Sequence, residues 1–190
     1  YARLLSGHFD WLVTVDPHLH RWHSLDQIYT VPAQVVAAAP QIARWLARHI
    51  ARPLLVGPDS ESAQWVQEVA RLAGAPWTVM AKTRRGDRDG RVKLAARGPW
   101  PGHTPALLDD IVSTGHTMVA AAAALARAGL AAPVCVVVHA LFDAQAQQRL
   151  RDAGVARVVS CDAIAHPTNA IRMAPALARA ARGMMAVRAQ

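Results

Sequence analysis

The sequence predicts an α/β domain with a mostly parallel sheet flanked by helices. Short apolar segments alternate along the chain with longer segments whose apolar residues recur at the helical period, a pattern typical of βαβ units. The chain has 190 residues, of which 53% are hydrophobic and 18% charged, which is enough for one domain with a substantial core. We therefore expect a single domain over residues 1–190.

The predicted elements follow from these two periodicities and from local start and stop signals. The helix at 60–73 is expected to begin at a Ser60 cap and to end at Gly74. A loop is expected at 86–90, where glycines and charges cluster. The predicted strands are 11–15, 53–57, 77–80, 106–108, 133–139, 155–160 and 184–187. The predicted helices are 34–49, 60–73, 117–128, 143–153 and 168–181.

Composition narrows the classes of function. The formal net charge of +8 favours anionic partners, but most arginines are scattered over alanine-rich helices, as expected of solvated faces, so we expect no nucleic acid. No apolar run approaches the length of a membrane span, so no membrane is expected. Cys135 and Cys161 lack metal-type spacing and are expected to be buried free thiols in a reducing compartment, the cytoplasm. The chain begins at Tyr1 without Met, which suggests a fragment.

The strongest chemical signal is the segment 107–117, which reads LLDDIVSTGHT. A buried strand is expected to end at Asp109 and Asp110, whose carboxylates can accept hydrogen bonds from two ribose hydroxyls or help to hold a metal. In open α/β sheets, ligands bind beyond the carboxyl ends of the strands, so these acids lie where a site is expected. The alternative is an ordinary helix cap beside two exposed acids.

The loop that follows suits a phosphate group. Its N–H groups and the start of the next helix favour an anion. Gly115 allows close approach of the backbone, and hydroxyl groups can donate to phosphate oxygens. The predicted phosphate-binding residues are Ser113, Thr114, Gly115, His116 and Thr117.

Two other strand ends carry groups suited to a divalent cation. The first strand runs into VTVDPHLH, in which His18 can bind a divalent ion or a phosphate. The strand at 53–57 is followed by Asp59, and a carboxylate is a normal magnesium ligand. A surface histidine, and a helix cap by Asp59 or Ser60, are the alternatives.

The segment 82–88, KTRRGDR, follows the third strand and is expected to be flexible. Lys82 and Arg84 are two residues apart, so on an extended loop they point to the same side. Phosphoryl transfer needs cations at the developing negative charge, and a mobile loop can supply them. The other cations of this stretch are expected to be solvated.

These motifs resemble a known family. The segment 107–117 resembles the phosphoribosyl diphosphate motif that phosphoribosyltransferases share with ribose-phosphate pyrophosphokinases. The segments 13–20, 56–59 and 82–84 resemble the pyrophosphokinases in particular, in the same order along the chain. The resemblance spans nearly the whole chain and corresponds to the C-terminal half of those enzymes, so it implies a phosphoribosyltransferase-like (type I) domain, the second of two.

The resemblance also implies roles for the residues. Asp109 and Asp110 would meet the ribose hydroxyls, residues 113–117 would cradle the 5-phosphate, and Lys82 with Arg84 would stabilise the transition state. His18 and Asp59 would help to bind the magnesium–ATP unit. The implied reaction transfers pyrophosphate from ATP to ribose 5-phosphate in a homo-oligomer. Since the first domain supplies part of the ATP site, the isolated chain should bind ribose 5-phosphate but turn over poorly.

Two other functions are consistent with parts of the sequence. A phosphoribosyltransferase of nucleotide salvage would use the same sugar loop, although the DPH and KTR segments disfavour it. A non-catalytic phosphoribosyl-binding regulator, including one that binds RNA, would instead show its arginines as a stripe with interleaved aromatics.

Overall fold

The structure is a computed structural model that describes residues 1–19, 22–83, 91–95 and 98–188. These residues form two compact units. The sheet unit comprises Ala39–Ile171, and the terminal unit comprises the two ends of the chain, Tyr1–Ala38 and Arg172–Gln190.

The sheet unit contains, within the described residues, a seven-stranded sheet flanked by helices. Its strands are β3 (Pro53–Gly57), β4 (Trp77–Thr83), β5 (Arg91–Leu94), β6 (Thr104–Val112), β7 (Val134–Ala140), β8 (Arg157–Cys161) and β9 (Asn169–Ile171). Their spatial order is β5-β4-β3-β6-β7-β8-β9, and every neighbouring pair is parallel except β4 and β5. Its helices are α2 (Ala39–His49), α3 (Ala63–Ala73), α4 (His116–Arg127) and α5 (Ala144–Asp152). The predicted α/β class with a mostly parallel sheet is confirmed.

The terminal unit contains α1 (Ala2–His8), β1 (Leu12–Val15), β2 (Ala33–Val36) and α6 (Ala174–Arg188). β1 and β2 pair in parallel, and α6 contacts both strands. In the part of the chain that the structure describes, no helix is long and apolar enough to cross a membrane.

One face of the large sheet carries the main core. Leu54, Leu107 and Val137 from three adjacent strands are fully or almost fully buried against Met118 and Leu125 of α4. Both cysteines are free and buried, as predicted from their apolar surroundings. Burial raises the pKa of the Cys135 thiol far above its usual range, and the nearby Asp109 carboxylate adds to the shift.

Two predicted helices were wrong at their beginnings for the same reason. Residues 33–36, most of which were assigned to the helix 34–49, form β2, and α2 begins only at Ala39. Residues 169–171, assigned to the helix 168–181, form β9, and α6 begins at Ala174. In each case a proline, Pro40 or Pro175, occupies the second position of the real helix. Proline is tolerated in the first helical turn and breaks a helix interior, so it marks where each helix must begin.

Other boundaries also differ from the predictions. The strand 106–108 is longer than predicted because β6 runs through both acids to Val112, which is 3% exposed and pairs with Ala140 of β7. α3 begins at Ala63 rather than at a Ser60 cap, and 184–187 belong to α6 rather than to a strand. The antiparallel strand β5 was not predicted.

A chain of hydrogen bonds joins the segment between β8 and β9 to the connection between β7 and α5. The Asn169 side chain donates to Ser160 Oγ (2.9 Å), which lies 2.8 Å from Thr168 Oγ1. His166 Nδ1 lies 2.7 Å from Thr168 Oγ1 and also accepts from the Thr168 N–H. His166 Nε2 lies 3.0 Å from the carbonyl oxygen of Phe142. Because a carbonyl only accepts, Nε2 carries the ring proton and Nδ1 is the acceptor.

We expect Thr168→Val to lower the free energy of unfolding by about 1–3 kcal/mol, since it removes the two hydrogen bonds that the hydroxyl makes with Ser160 Oγ and His166 Nδ1. Denaturant unfolding of the chain measures the change. Thr30→Val, at an exposed position, is the matched control and should change little. Equal effects of the two variants would contradict the importance of the hydrogen-bond chain.

Cys135 should make stability depend on alkaline pH. Its pKa is raised in the folded state, so its contribution is complete below the pKa of an unfolded thiol, about 8.5, and declines as the pH rises above that value. Cys135→Val should therefore lose less stability than the parent between about pH 8 and about pH 10.

A thiol reagent should label neither buried cysteine until denaturant is added. Rapid labelling of the native chain would overturn this expectation.

Candidate functional site

The order of the strands places a reversal of direction between β3 and β6. From β3 the chain proceeds to β4 on one side, and from β6 it proceeds to β7 on the other. At such a switch point the two connections leave in opposite directions and open a crevice beyond the carboxyl ends of the strands. Asp59 follows β3, and Asp109 and Asp110 lie near the carboxyl end of β6. The predicted sugar and metal residues of the sheet unit therefore lie at the carboxyl ends of the two strands that flank this switch point.

The register places the acid after β3 and the acids of β6 at similar positions along the strand direction. Val56 of β3 is opposite Leu107 of β6, so Asp59 and Asp110 each follow that pair by three residues. Asp109 and Asp110 are half-buried. Successive residues of a strand project to opposite faces, so Asp109 lies on the same face of β6 as Leu107, which pairs with Cys135 and belongs to the main core. The acidic pair is thus part of the strand rather than of the loop after it.

The phosphate loop, which we define as residues 113–117, joins β6 to α4. Gly115 precedes the helix with φ 76° and ψ 1°, a left-handed conformation that glycine adopts readily. Its carbonyl accepts the first helical hydrogen bond, from the Val119 N–H at 2.9 Å. No side chain among the described residues caps α4, which leaves the N–H groups of its first turn available to an anion.

The hydroxyl groups of the phosphate loop are directed to solvent rather than into the core. Ser113, Thr114 and Thr117 are exposed, as is His116, whereas Gly115 is buried beneath them. Exposed hydroxyls beside unpaired N–H groups can donate to the oxygens of a phosphate. The local geometry is therefore compatible with the predicted phosphate site.

One residue near the loop was not predicted from the sequence. Arg149 of α5 donates from Nη2 to the carbonyl oxygen of Thr114 at 3.0 Å. Its Nε is buried and has no hydrogen-bond partner among the described residues. The two residues are 35 positions apart, so no local pattern could have indicated the contact.

Asp59 combines a turn with a carboxylate oxygen that remains available. Its Oδ1 accepts from the N–H groups of Glu61 (3.0 Å) and Ser62 (3.1 Å), and the Ser62 hydroxyl donates to its carbonyl oxygen at 2.7 Å. Gly57 permits this turn, because a Cβ there would lie 2.3 Å from Ser62 Oγ. These N–H groups precede α3, whose N-cap is Ser62, so Asp59 closes a turn before the helix rather than capping it, and its Oδ2 accepts no hydrogen bond from the described residues.

His18 lies in the terminal unit, three residues after the end of β1, and its side chain is exposed. In the same segment, Asp16 has a positive φ of 27° and accepts from the Ala38 N–H at 3.0 Å through Oδ2. This bond joins the chain after β1 to the chain after β2. The side chain of Lys82 and the whole of Arg84 lie outside the described residues, as does the loop predicted at 86–90, so their roles stay predictions.

The donor chemistry of the sheet unit fits magnesium held mainly by a phosphorylated substrate. Within the described ranges, no group of three or more His, Cys, Asp or Glu side chains could hold a metal ion. Magnesium commonly takes one or two carboxylates and fills its remaining positions with phosphate oxygens and water. Asp59, with one carboxylate oxygen outside its turn, fits that mode of binding.

Comparison with known proteins identifies the family. The model of the phosphoribosyl transferase domain matches residues 24–176. The chain belongs to this family. The phosphate loop and acidic pair lie inside the matched region.

Its similarity to one group of enzymes extends over nearly the whole chain. It is 30% identical over 185 residues to ribose-phosphate pyrophosphokinase from Methanopyrus kandleri, covering 96% of this chain and 62% of the relative. It is 32% identical over 183 residues to that of Halobacterium salinarum, covering 94% and 62%. The crystal structure of phosphoribosylpyrophosphate synthetase from Mycobacterium smegmatis superposes with a TM-score of 0.80 and 25% identity, covering 97% of this chain and 62% of that one.

These comparisons confirm the predicted resemblance and the phosphoribosyltransferase-like fold. The chain spans 62% of the length of each of these relatives.

We expect Gly115→Ala to lower the free energy of unfolding by about 1–2 kcal/mol, because alanine is strained at a positive φ. Steric clash is not the cause, since the nearest atoms to a Cβ there, on Ala146 and Leu150, are 3.8 Å away. Gly183→Ala in α6 is the control. Because Gly183 has open space around it and a helical backbone, this change should raise the free energy of unfolding by about 0.5–1 kcal/mol. Thermal unfolding compares them, and a neutral Gly115→Ala would contradict the strained geometry.

Proposed function

We propose that this chain is the second, ribose-phosphate-binding domain of a ribose-phosphate diphosphokinase. The enzyme would transfer pyrophosphate from ATP to ribose 5-phosphate, giving phosphoribosyl pyrophosphate and AMP. The observation that carries the proposal is similarity to ribose-phosphate pyrophosphokinases over 96% of this chain. The acidic pair and phosphate loop at the switch point of the sheet add physical support.

The sugar would be held from two sides. The exposed hydroxyls and the N–H groups at the start of α4 would bind the 5-phosphate. Asp109 and Asp110 would accept hydrogen bonds from the ribose hydroxyls. Anchoring both ends of the sugar fixes the direction of its anomeric hydroxyl, and such orientation provides a large part of the rate enhancement in reactions between two bound substrates.

The reaction would be an in-line substitution at phosphorus. The anomeric oxygen would attack the β-phosphorus of ATP and give up its proton to water, while the bond from the β-phosphorus to the oxygen shared with the α-phosphate breaks and AMP leaves. Lys82 and Arg84 would neutralise the charge that develops on the transferred group. Magnesium, when bound with ATP, would neutralise phosphate charge; His18 and Asp59 are the residues proposed to contribute to its binding.

The rest of the enzyme would lie in a preceding domain. We propose that the complete protein is a cytoplasmic homo-oligomer in which that domain provides part of the ATP site. The preceding domain would account for the part of the relatives that this chain does not cover, since it covers 62% of their length. The isolated chain would then bind ribose 5-phosphate and turn over slowly.

The activity is tested by mixing ATP, magnesium and ribose 5-phosphate, without a nucleobase, and measuring AMP. The two-domain protein should form AMP and phosphoribosyl pyrophosphate, and the isolated chain should form them much more slowly. Equal turnover would contradict the need for a first domain. If neither forms AMP, and phosphoribosyl pyrophosphate is instead consumed when a nucleobase is added, the protein is a phosphoribosyltransferase. Sub-micromolar, salt-dependent RNA binding without either activity would favour a regulator.

Calorimetric titration of the isolated chain with ribose 5-phosphate tests the sugar site directly. The double variant Asp109→Ala, Asp110→Ala should weaken binding by roughly 100-fold or more, as expected for the loss of two hydrogen bonds to charged acceptors. Asp152→Ala is the control, since that exposed carboxylate bonds Gln148 in its own helix. Unchanged affinity in the folded double variant would remove Asp109 and Asp110 from the sugar site.

A further inference from the structure

We infer that Arg149 is a positioning residue for the phosphate loop and that it sets the affinity for the 5-phosphate without touching the substrate. The inference rests on the proposed function, because the anion concerned is the phosphate of ribose 5-phosphate. Its structural basis is the hydrogen bond from Arg149 Nη2 to the Thr114 carbonyl oxygen, 3.0 Å long.

The planarity of the peptide bond links this contact to the anion site. The described residues contain no cis peptide, so the Thr114 carbonyl and the Gly115 N–H point in opposite directions from one peptide plane. When Arg149 holds the carbonyl toward α5, the Gly115 N–H is directed away from α5. That N–H then joins the first N–H groups of α4 on the side of the loop where an anion can approach.

The tether matters because the backbone at this point can rotate easily. Gly115 has a positive φ and no side chain, so the peptide before it can turn at little conformational cost. Gly115 has no side chain of its own to pack against Ala146 and Leu150, which a Cβ there would meet at 3.8 Å, an ordinary van der Waals distance. A charged donor to the carbonyl is a stronger constraint than these contacts.

The environment of the guanidinium distinguishes it from an ordinary surface arginine. Arg149 Nε is buried without a partner in the part of the chain that the structure describes. A buried unpaired donor is unfavourable, so this side chain is not in the arrangement that solvation alone would choose. Arg151, on the same helix, shows the ordinary arrangement: its Nε and Nη2 both donate to Gln148 within α5.

Three variants test the inference. Arg149→Met removes the donor, Arg149→Lys keeps a cationic donor, and Arg151→Met removes the same charge from the same helix without affecting the loop. By calorimetry, Arg149→Met should weaken ribose 5-phosphate binding by roughly tenfold, the effect of one hydrogen bond, and Arg149→Lys should recover most of it. Arg151→Met should bind like the parent. Should Arg149→Met not fold, Arg149→Ala also removes the donor and keeps a residue that favours the helix.

Amide hydrogen exchange of the ligand-free chain separates this inference from the proposed function. Residues 113–118 should exchange faster in Arg149→Met and return toward the parent rate in Arg149→Lys. Unaltered exchange, or unaltered ribose 5-phosphate affinity where the parent binds it, would overturn the role of Arg149 and leave the proposed function standing. A parent that does not bind ribose 5-phosphate would refute the sugar site, while the exchange rates would still decide whether the tether exists.

Discussion

The reversal between β3 and β6 is the constraint on which the rest of the candidate site depends. Parallel strands must be joined by crossovers, and wherever successive crossovers leave in opposite directions the loops separate and leave a crevice. Here the switch point lies between the segment after β3, which contains Asp59, and the loop after β6. The carboxylate after one strand and the acidic pair and phosphate loop of the next thereby lie at the same edge of the sheet.

The phosphate loop has a backbone that can rotate easily at Gly115, and it is contacted by an arginine from a distant part of the chain. Gly115 lets the backbone adopt a left-handed turn, and the unsatisfied N–H groups of α4 make that turn attractive to an anion. The same freedom would let the loop rotate away from a productive orientation. We infer that the hydrogen bond from Arg149 of the neighbouring helix α5 restricts this rotation. The hydrogen-bond chain through His166 provides comparable support where the β7–α5 connection meets the segment before β9.

Local sequence signals located most of the elements. Several of the wrong boundaries lie where prolines or carboxylates interrupt an apolar pattern. The strand Pro53–Gly57 was predicted with its correct bounds, and Gly74 ends α3 in a left-handed conformation as expected. The two predicted helices that contain Pro40 and Pro175 began too early, because apolar periodicity was followed across a proline. β6 was ended too early because two carboxylates interrupt its apolar pattern, although Ile111 and Val112 continue its pairing with β7.

The sequence by itself determined the fold class and predicted the chemistry of the candidate site, because hydrophobic periodicity and the order of residue types at strand ends are local properties of the chain. It placed Asp109, Asp110 and the following loop together, since they are adjacent. Only the tertiary structure decided that β3 and β6 are neighbours, that Arg149 reaches the Thr114 carbonyl, and that His166 contacts Phe142. Such contacts join residues tens of positions apart, and they arise from how strands order themselves in the sheet, which no local pattern records.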